Sequence, residues 1–226
     1  MQVSNLVVEG TNRGPLTAKR LVDILSACLL LPVVLSLSAV TAAIVYVCLG
    51  RPLVFRQQRA GRDMRTFDVI KFRTMTDVRD EDGELLPDEQ RQTAVTAMLR
   101  RLRLDELPQL LCVLRGDMSM VGPRPLPRDT LMRFGEIGEL RCKVSPGVTG
   151  WAQVNGNTRL SDEEKIALDI WYVDRKNLAL DFSILGMTVA TILRGERVDV
   201  RNLQRALLHL RQRRALLTDR IPTHGD

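Results

Sequence analysis

Between Arg100 and Pro127 the run RRLRLDELPQLLCVLRGDMSMVGPRPLP sets two adjacent carboxylates, Asp105 and Glu106, among several arginines, one of them (Arg124) flanked by prolines. A carboxylate can act as a nucleophile or hold a metal ion, and clustered cations neutralise phosphate, so the grouping suits phosphoryl chemistry. Pro108 has no amide hydrogen and is tolerated in a first helical turn. The apolar run Leu107, Leu110, Leu111, Leu114 therefore predicts a helix beginning just before it. Asp105 and Glu106 then stand at a helix N-terminus, where unpaired amides and the dipole favour an ionised carboxylate and, beside it, an anion or metal–phosphate complex. The structural alternative makes Asp105 an ordinary N-cap and Glu106 its solvated neighbour. Pro123 and Pro125 restrict the backbone around Arg124, which lowers the ordering cost of offering its guanidinium to a phosphate, although proline-rich turns also arise with no chemical role.

Composition narrows the chemistry. The only histidines among 226 residues are His209 and His224, both near the C-terminus, so acid–base and nucleophilic work falls to carboxylates, lysine or hydroxyls. Cys28, Cys48, Cys112 and Cys142 are dispersed without a C-x-x-C pair, which argues against a zinc site and a disulfide framework. A net charge of +6 fits nucleic acid, anionic lipid or phosphorylated substrates equally well. With no P-loop or Rossmann glycine motif, phosphate handling would rest on arginines, a lysine and a carboxylate-held magnesium ion. A carboxylate can also attack phosphorus to give an acyl phosphate, splitting one transfer into two displacements.

The elements that must position these residues follow from patterning. From Leu21 to Leu49 the only charged residue is Asp23. As one straight helix this stretch would run roughly 43 Å, beyond the ~30 Å hydrocarbon core, and Pro32 interrupts it. Lys19 and Arg20 precede the segment, while Arg51, Arg56, Arg59, Arg62 and Arg65 follow it. A straight span is the commoner arrangement, yet a helix broken at Pro32 that enters and leaves by one leaflet satisfies both basic flanks, with Ser26, Ser36 and Ser38 available to partner freed backbone groups. Met1 to Thr17 reads as a loosely held tail. TFDVIKFRTM alternates as a short strand with Lys71 and Arg73 on one face, for a site or for solvent. Asp77 to Glu89 reads as a solvated acidic loop, since Val78 would occupy the first ligand position of a calcium loop. Gly116-Asp117 ends the helix that follows Pro108. Pro146 to Gly156 has turn chemistry at both ends, around an indole and amides that suit a ligand or a tight corner. Ser161 and Glu164 form a capping box for a helix on which Asp169 and Tyr172 share a face, in a core or a site role. Phe182 to Leu193 suits a core or interfacial helix. Leu203, Leu210 and Leu217 recur at intervals of seven among arginines, a pattern read as favouring anionic lipid or a second copy over an ordinary terminal helix.

KFRTM at 71 to 75, LDELPQLL at 104 to 111, GDMSMVGPRP at 116 to 125 and PGVTGWAQVNG at 146 to 156 together resemble the monotopic phosphoglycosyl transferases, the bacterial sugar transferase family. The resemblance runs from about Lys19 to Leu193. It implies a membrane enzyme that moves a sugar-1-phosphate from a UDP-sugar to polyprenyl phosphate with magnesium, releasing UMP. It further implies Asp105 as a nucleophile lying near the metal, Glu106 as the other half of a dyad, and Lys71, Arg100 and Arg124 as phosphate-site cations. A re-entrant helix broken at Pro32, with both ends cytoplasmic and Arg20 and Asp23 matching an R-x-x-D pattern at its start, replaces the straight span. Three positions depart from the family pattern: Leu31 where a serine commonly precedes the proline, Asn157 where an arginine commonly follows WAQVNG (Arg159 lies two further on), and Arg103 at a place often held by a small polar residue.

The resulting expectation is a mainly helical α+β protein of the small, catalytic-domain-only form at the cytoplasmic face of the bacterial inner membrane. Its parts are a tail (1–17), a re-entrant helix (18–50), a compact catalytic domain with interfacial helices (51–198) and a basic amphipathic C-terminal helix (199–226). Its partners are a UDP-sugar, polyprenyl phosphate and membrane lipid, not nucleic acid, with a homodimer open. The rivals are a membrane-anchored basic binding module whose carboxylates are structural, and a pseudoenzyme or partner subunit.

Overall fold

The computed structural model describes residues 17–218, so the expected tail before Thr17 and His224 lie outside the described residues. Thr17 caps the first helix, α1 (Ala18–Leu49), by accepting a bond from the Arg20 amide at 3.2 Å. The helix is long and apolar enough to cross a membrane, and most of it is exposed, including Leu29 and Val47. Pro32 lies inside it rather than between two helices, and Ser36 donates its hydroxyl to the Pro32 carbonyl at 3.0 Å. This is the usual back-bond of a helical serine to the carbonyl four residues earlier. The carbonyl that Pro32 leaves without an amide partner is that of Cys28, so none of the three serines is seen serving a break.

Asp23, Ala27, Thr41 and Val45 are the buried positions of α1, four residues apart on either side of Pro32 and hence on one face in each half. Both halves touch the rest of the protein. In the first, Arg20 donates to the carbonyls of Val113 (2.5 Å) and Leu114 (2.9 Å), and Asp23 accepts from the Ser119 hydroxyl and the Met120 amide, both at 2.9 Å. In the second, Val45 packs with Phe72 and Leu99, and the Arg73 guanidinium donates to the Leu49 carbonyl.

The cis Arg51–Pro52 bond leads into β1 (Val54–Ala60), which pairs antiparallel with β2 (Thr66–Phe72), in register from Val54 opposite Phe72 to Ala60 opposite Thr66. The expected strand is β2; its partner VFRQQRA is too polar to alternate and went unread. After the acidic loop come α2 (Ala94–Arg101), a 3₁₀ turn (Leu104–Glu106), α3 (Gln109–Arg115) and β3 (Ser119–Val121). Gly116 ends α3 at φ 98°, a left-handed position that suits glycine. Two short helices, α4 (Arg128–Met132) and α5 (Glu136–Arg141), precede β4 (Gly147–Thr149), which lies parallel to β3. Gly147 permits this approach: a Cβ there would stand 2.0 Å from the Gly122 nitrogen.

The core continues through α6 (Trp151–Val154), a second 3₁₀ turn (Asn157–Arg159), α7 (Asp162–Arg175) and α8 (Leu178–Arg194). The Ser161–Glu164 capping box starts α7 as expected. Trp151 stacks on Trp171 with ring centroids 5.0 Å apart, so the indole of the glycine-rich corner packs in the core, while the buried Gln153 amide beside it has no hydrogen-bond partner among the described residues. Tyr172 donates to Asp181 at 2.7 Å and lies wholly in the core. In contrast, α8 exposes Phe182, Val189, Ile192 and Leu193.

The C-terminal expectation is corrected. Leu203, Ala206 and Leu210 of α9 (Val200–Thr218) are buried, and Asp174 of α7 receives Arg213 at 2.6 Å and His209 at 2.7 Å. Here the leucine stripe faces α7 of its own chain, because those contacts remove apolar area from water without a second copy.

Candidate active site

Leu102 closes α2, and Arg103 turns the chain in a left-handed conformation (φ 56°) that delivers the next residues into the 3₁₀ turn. The turn faces β2, so Asp105 and Glu106 are both buried, each 8% exposed. Asp105 is therefore not the N-cap of the helix. Pro108 holds that place and, having no side-chain oxygen, makes no capping bond; α3 starts at Gln109, just after the proline rather than just before it. Being only seven residues long, α3 does not account for the charge balance of the pair.

Their surroundings separate the two carboxyls. Glu106 Oε1 receives Lys71 Nζ from the end of β2 at 2.8 Å and Arg124 Nη2 at 2.6 Å, while Arg103 Nη1 approaches Oε2 at 3.4 Å. Burial alone would raise its pKa, but Arg124 and Lys71 outweigh burial and bring it to about 2. Asp105 makes no hydrogen bond or ion pair to another side chain among the described residues. Burial first, and then the negative charge of Glu106, push its carboxyl up to about 6 against the opposing charges of Lys71 and Arg100. At neutral pH both are ionised, one neutralised by cations and the other unpaired.

The loop carrying Arg124 is held from behind. Arg141, 3% exposed, donates to the Arg124 carbonyl at 2.5 Å and to Asp169 Oδ2 at 2.8 Å. Ala60 donates to the Leu126 carbonyl at 3.0 Å, and Gly122 packs so closely that a Cβ would stand 2.4 Å from the Ser145 carbonyl oxygen. This fixes Arg124 more firmly than its prolines alone. Asp169 thus acts on the site through Arg141.

Of the expected residues, Asp105, Glu106, Lys71 and Arg124 meet. Arg100 does not reach the carboxylates: it pairs with Asp88 at 3.7 Å and influences Asp105 only through its field. The left-handed turn at Arg103 redirects the chain between them. Arg59 and Glu196 were not expected at the site, and Arg103 was noted only as a departure from the family pattern. Arg59 of β1 lies close enough to Arg124 that, after burial, the charge of Arg124 lowers its pKa. Arg103 turns inward to the dyad, and Glu196, in the segment between α8 and α9, receives Arg103 at 3.2 Å. Of the other departures, Asn157 is buried and donates to Glu196, whereas Arg159 is exposed.

Among the described residues no three His, Cys, Asp or Glu side chains gather as a ready metal cage. A divalent cation nevertheless fits the donor set. Magnesium takes one or two carboxylates and completes its shell with water and substrate phosphates, and Asp105 offers a buried, unpaired carboxylate beside a second negative charge.

The family model described as "Bacterial sugar transferase" matches residues 15–195. The chain is 47% identical over 184 residues to "Uncharacterized sugar transferase EpsL" of Bacillus subtilis (strain 168), covering 81% of this chain and 91% of that one. It is 37% identical to the "UDP-N-acetylgalactosamine-undecaprenyl-phosphate N-acetylgalactosaminephosphotransferase" of Aeromonas hydrophila, over 78% of this chain and 44% of the relative. It is 35% identical to the "UDP-glucose:undecaprenyl-phosphate glucose-1-phosphate transferase" of Escherichia coli (strain K12), over 80% of this chain and 41% of the relative. The chain thus spans nearly all of the first relative and less than half the length of the other two.

Proposed function

This chain belongs to the bacterial sugar transferase family, and we propose that it transfers a sugar-1-phosphate from a UDP-sugar to polyprenyl (undecaprenyl) phosphate, giving polyprenyl-diphospho-sugar and UMP. The observation that carries this reading is the unequal treatment of two adjacent carboxylates: Glu106 is held by Lys71 and Arg124, while Asp105 is buried, ionised at neutral pH and unpaired. A desolvated, unpaired carboxylate is a stronger nucleophile than a solvated one.

The mechanism is ping-pong. A carboxylate oxygen of Asp105 attacks the β-phosphorus of the UDP-sugar, the bond from that phosphorus to the bridging oxygen breaks, and UMP leaves with the electron pair. The sugar-phosphate is then held on Asp105 as an acyl phosphate. A phosphate oxygen of the polyprenyl acceptor attacks the same phosphorus, the acyl–phosphate bond breaks, and Asp105 returns as a carboxylate. Glu106, with a pKa of about 2, is no proton donor at neutral pH; it keeps Lys71 and Arg124 in place for the diphosphate. Asp105 would be the residue that holds a magnesium ion, which when bound would supply neutralisation of phosphate charge.

The membrane arrangement we propose is re-entrant. If α1 crossed a bilayer, its ends would lie on opposite faces, yet Arg20 and Asp23 at one end and Val45 and Leu49 at the other engage the same domain. Basic residues on both flanks favour the cytoplasmic side for each. The exposed apolar residues of α8 suit the lipid surface, so the acceptor's phosphate can meet Asp105 while its chain stays in the bilayer.

The test is UMP release by purified protein given magnesium, undecaprenyl phosphate and a panel of UDP-sugars. Acceptor-dependent release with at least one donor is expected. No release with any donor, together with salt-sensitive nucleic-acid binding, would overturn the reading in favour of a basic binding module.

A further inference from the structure

Glu196 is the first residue beyond the family match, yet it reaches the centre of the site. Its carboxylate is saturated. Oε1 receives Arg103 Nη2 at 3.2 Å and the Asn157 amide, while Oε2 receives the Thr158 backbone amide at 3.2 Å and the Thr158 hydroxyl. Four donors fill the roughly four lone-pair directions a carboxylate offers, so Glu196 has none left for a ligand. What it does instead is grip a cation. Arg103 and Asn157, which it joins, both hold positive φ (56° and 47°), a conformation costly for non-glycine residues that tends to persist at functional sites.

Arg103 is thereby stretched between Glu196 and Glu106. The contact to Glu106, at 3.4 Å, is looser than those of Lys71 and Arg124, and the Arg103 side chain remains 33% exposed. Its planar guanidinium has five N–H donors, more than these two contacts use, and it lies one residue from the turn that carries Asp105. A merely structural arginine would be consumed by its partners; this one is anchored on one side and open on the other.

We propose that Arg103 is a donor-binding residue that contacts the diphosphate of the nucleotide donor beside Asp105, and that Glu196, held by Asn157 and Thr158, is the positioning residue that aims it. The inference rests on the donor class given under Proposed function and adds two residues to that site. Glu196 holds one edge of the guanidinium, so Arg103 meets Glu106 only at 3.4 Å and keeps N–H donors for the substrate. The Glu196 charge also reaches Arg124, so the same clamp acts on a second phosphate cation.

The experiment measures binding of UDP and of uridine to the purified full-length protein in detergent with magnesium, alongside melting temperature, for wild type, Arg103→Ala, Arg103→Lys and Glu196→Gln. Loss of one charge-assisted contact weakens UDP binding by about ten- to a hundredfold in Arg103→Ala. The lysine variant, which cannot match the fork geometry, is expected to lose less. Glu196→Gln should weaken UDP binding severalfold with Arg103 still present, and uridine binding should stay unchanged throughout. UDP affinity within twofold of wild type in a folded Arg103→Ala, or equal losses for UDP and uridine, would overturn the proposal and leave the proposed function standing. If Arg103→Ala does not fold, unchanged UDP affinity in Arg103→Lys and Glu196→Gln overturns it equally. A wild-type protein that binds no UDP would instead sink the donor class, and this inference with it.

Discussion

Replacing Asp105 by Asn should stabilise the protein, and only in a defined pH range. Burial and the neighbouring Glu106 raise the Asp105 carboxyl from 3.8 to about 6 in the folded state. An acid with a raised folded pKa binds more protons folded than unfolded between those values, so its ionisation costs stability as pH rises from 3.8 through 6. Above that range the rise corresponds to about 3 kcal/mol against the folded state. For a chain of this size that is about 5–8 °C in melting temperature. Asn keeps the shape and removes the charge. Thermal unfolding of wild type and Asp105→Asn in detergent with EDTA, between pH 4 and 8, should show the variant melting higher at pH 8 and the gap closing towards pH 4. Magnesium, which would be held at Asp105, should raise the melting temperature of wild type more than that of the variant. A gap independent of pH, or a variant less stable at pH 8, would refute the reasoning, because Asp105 would then be neither desolvated nor repelled.

Glu106→Gln should behave oppositely at neutral pH. Its folded pKa of about 2 lies below the usual 4.5, so its charge contributes stability above pH 4.5 that fades as pH falls towards 2. Removing one side of this buried ion cluster should cost about 3 kcal/mol or more, read as a lower melting temperature at pH 7. For the membrane helix, single cysteines introduced at Lys19 and Arg51 in a chain lacking its native cysteines should label with an impermeant maleimide from the cytoplasmic side only; labelling from opposite faces would mean a straight span.

What the sequence disclosed depended on how local the signal was. Ser161 and Glu164 lie within one turn, and Gly116 stops a helix by its own conformation, so both were readable. The apolar length of α1 was equally plain, as was the alternation of β2. The β1 strand was not, since Arg56, Gln57, Gln58 and Arg59 carry no apolar period and become a strand only through pairing with β2. Arg100 was expected at the phosphate site from the family resemblance; the structure pairs it with Asp88 and lets it act on Asp105 only through its field, with the left-handed turn at Arg103 lying between them. Glu196 lies 93 residues from Arg103, and Arg141 lies 28 from Asp169; no periodicity links either pair before the fold exists. Leu203 and Leu210 looked available to lipid or a second copy because the sequence does not show that α7 offers them an apolar face. Arg103 and Asn157, two departures from the family pattern, acquire a shared purpose only once Glu196 is seen between them.

The central claim is that Asp105 becomes covalently loaded with the donor's phosphosugar. Intact-mass measurement of protein incubated with magnesium and a turned-over UDP-sugar, quenched without acceptor, should show one added sugar-phosphate, located to Asp105 by peptide mapping and absent from Asp105→Asn. An adduct on another residue, or undiminished turnover by Asp105→Asn, would contradict the account.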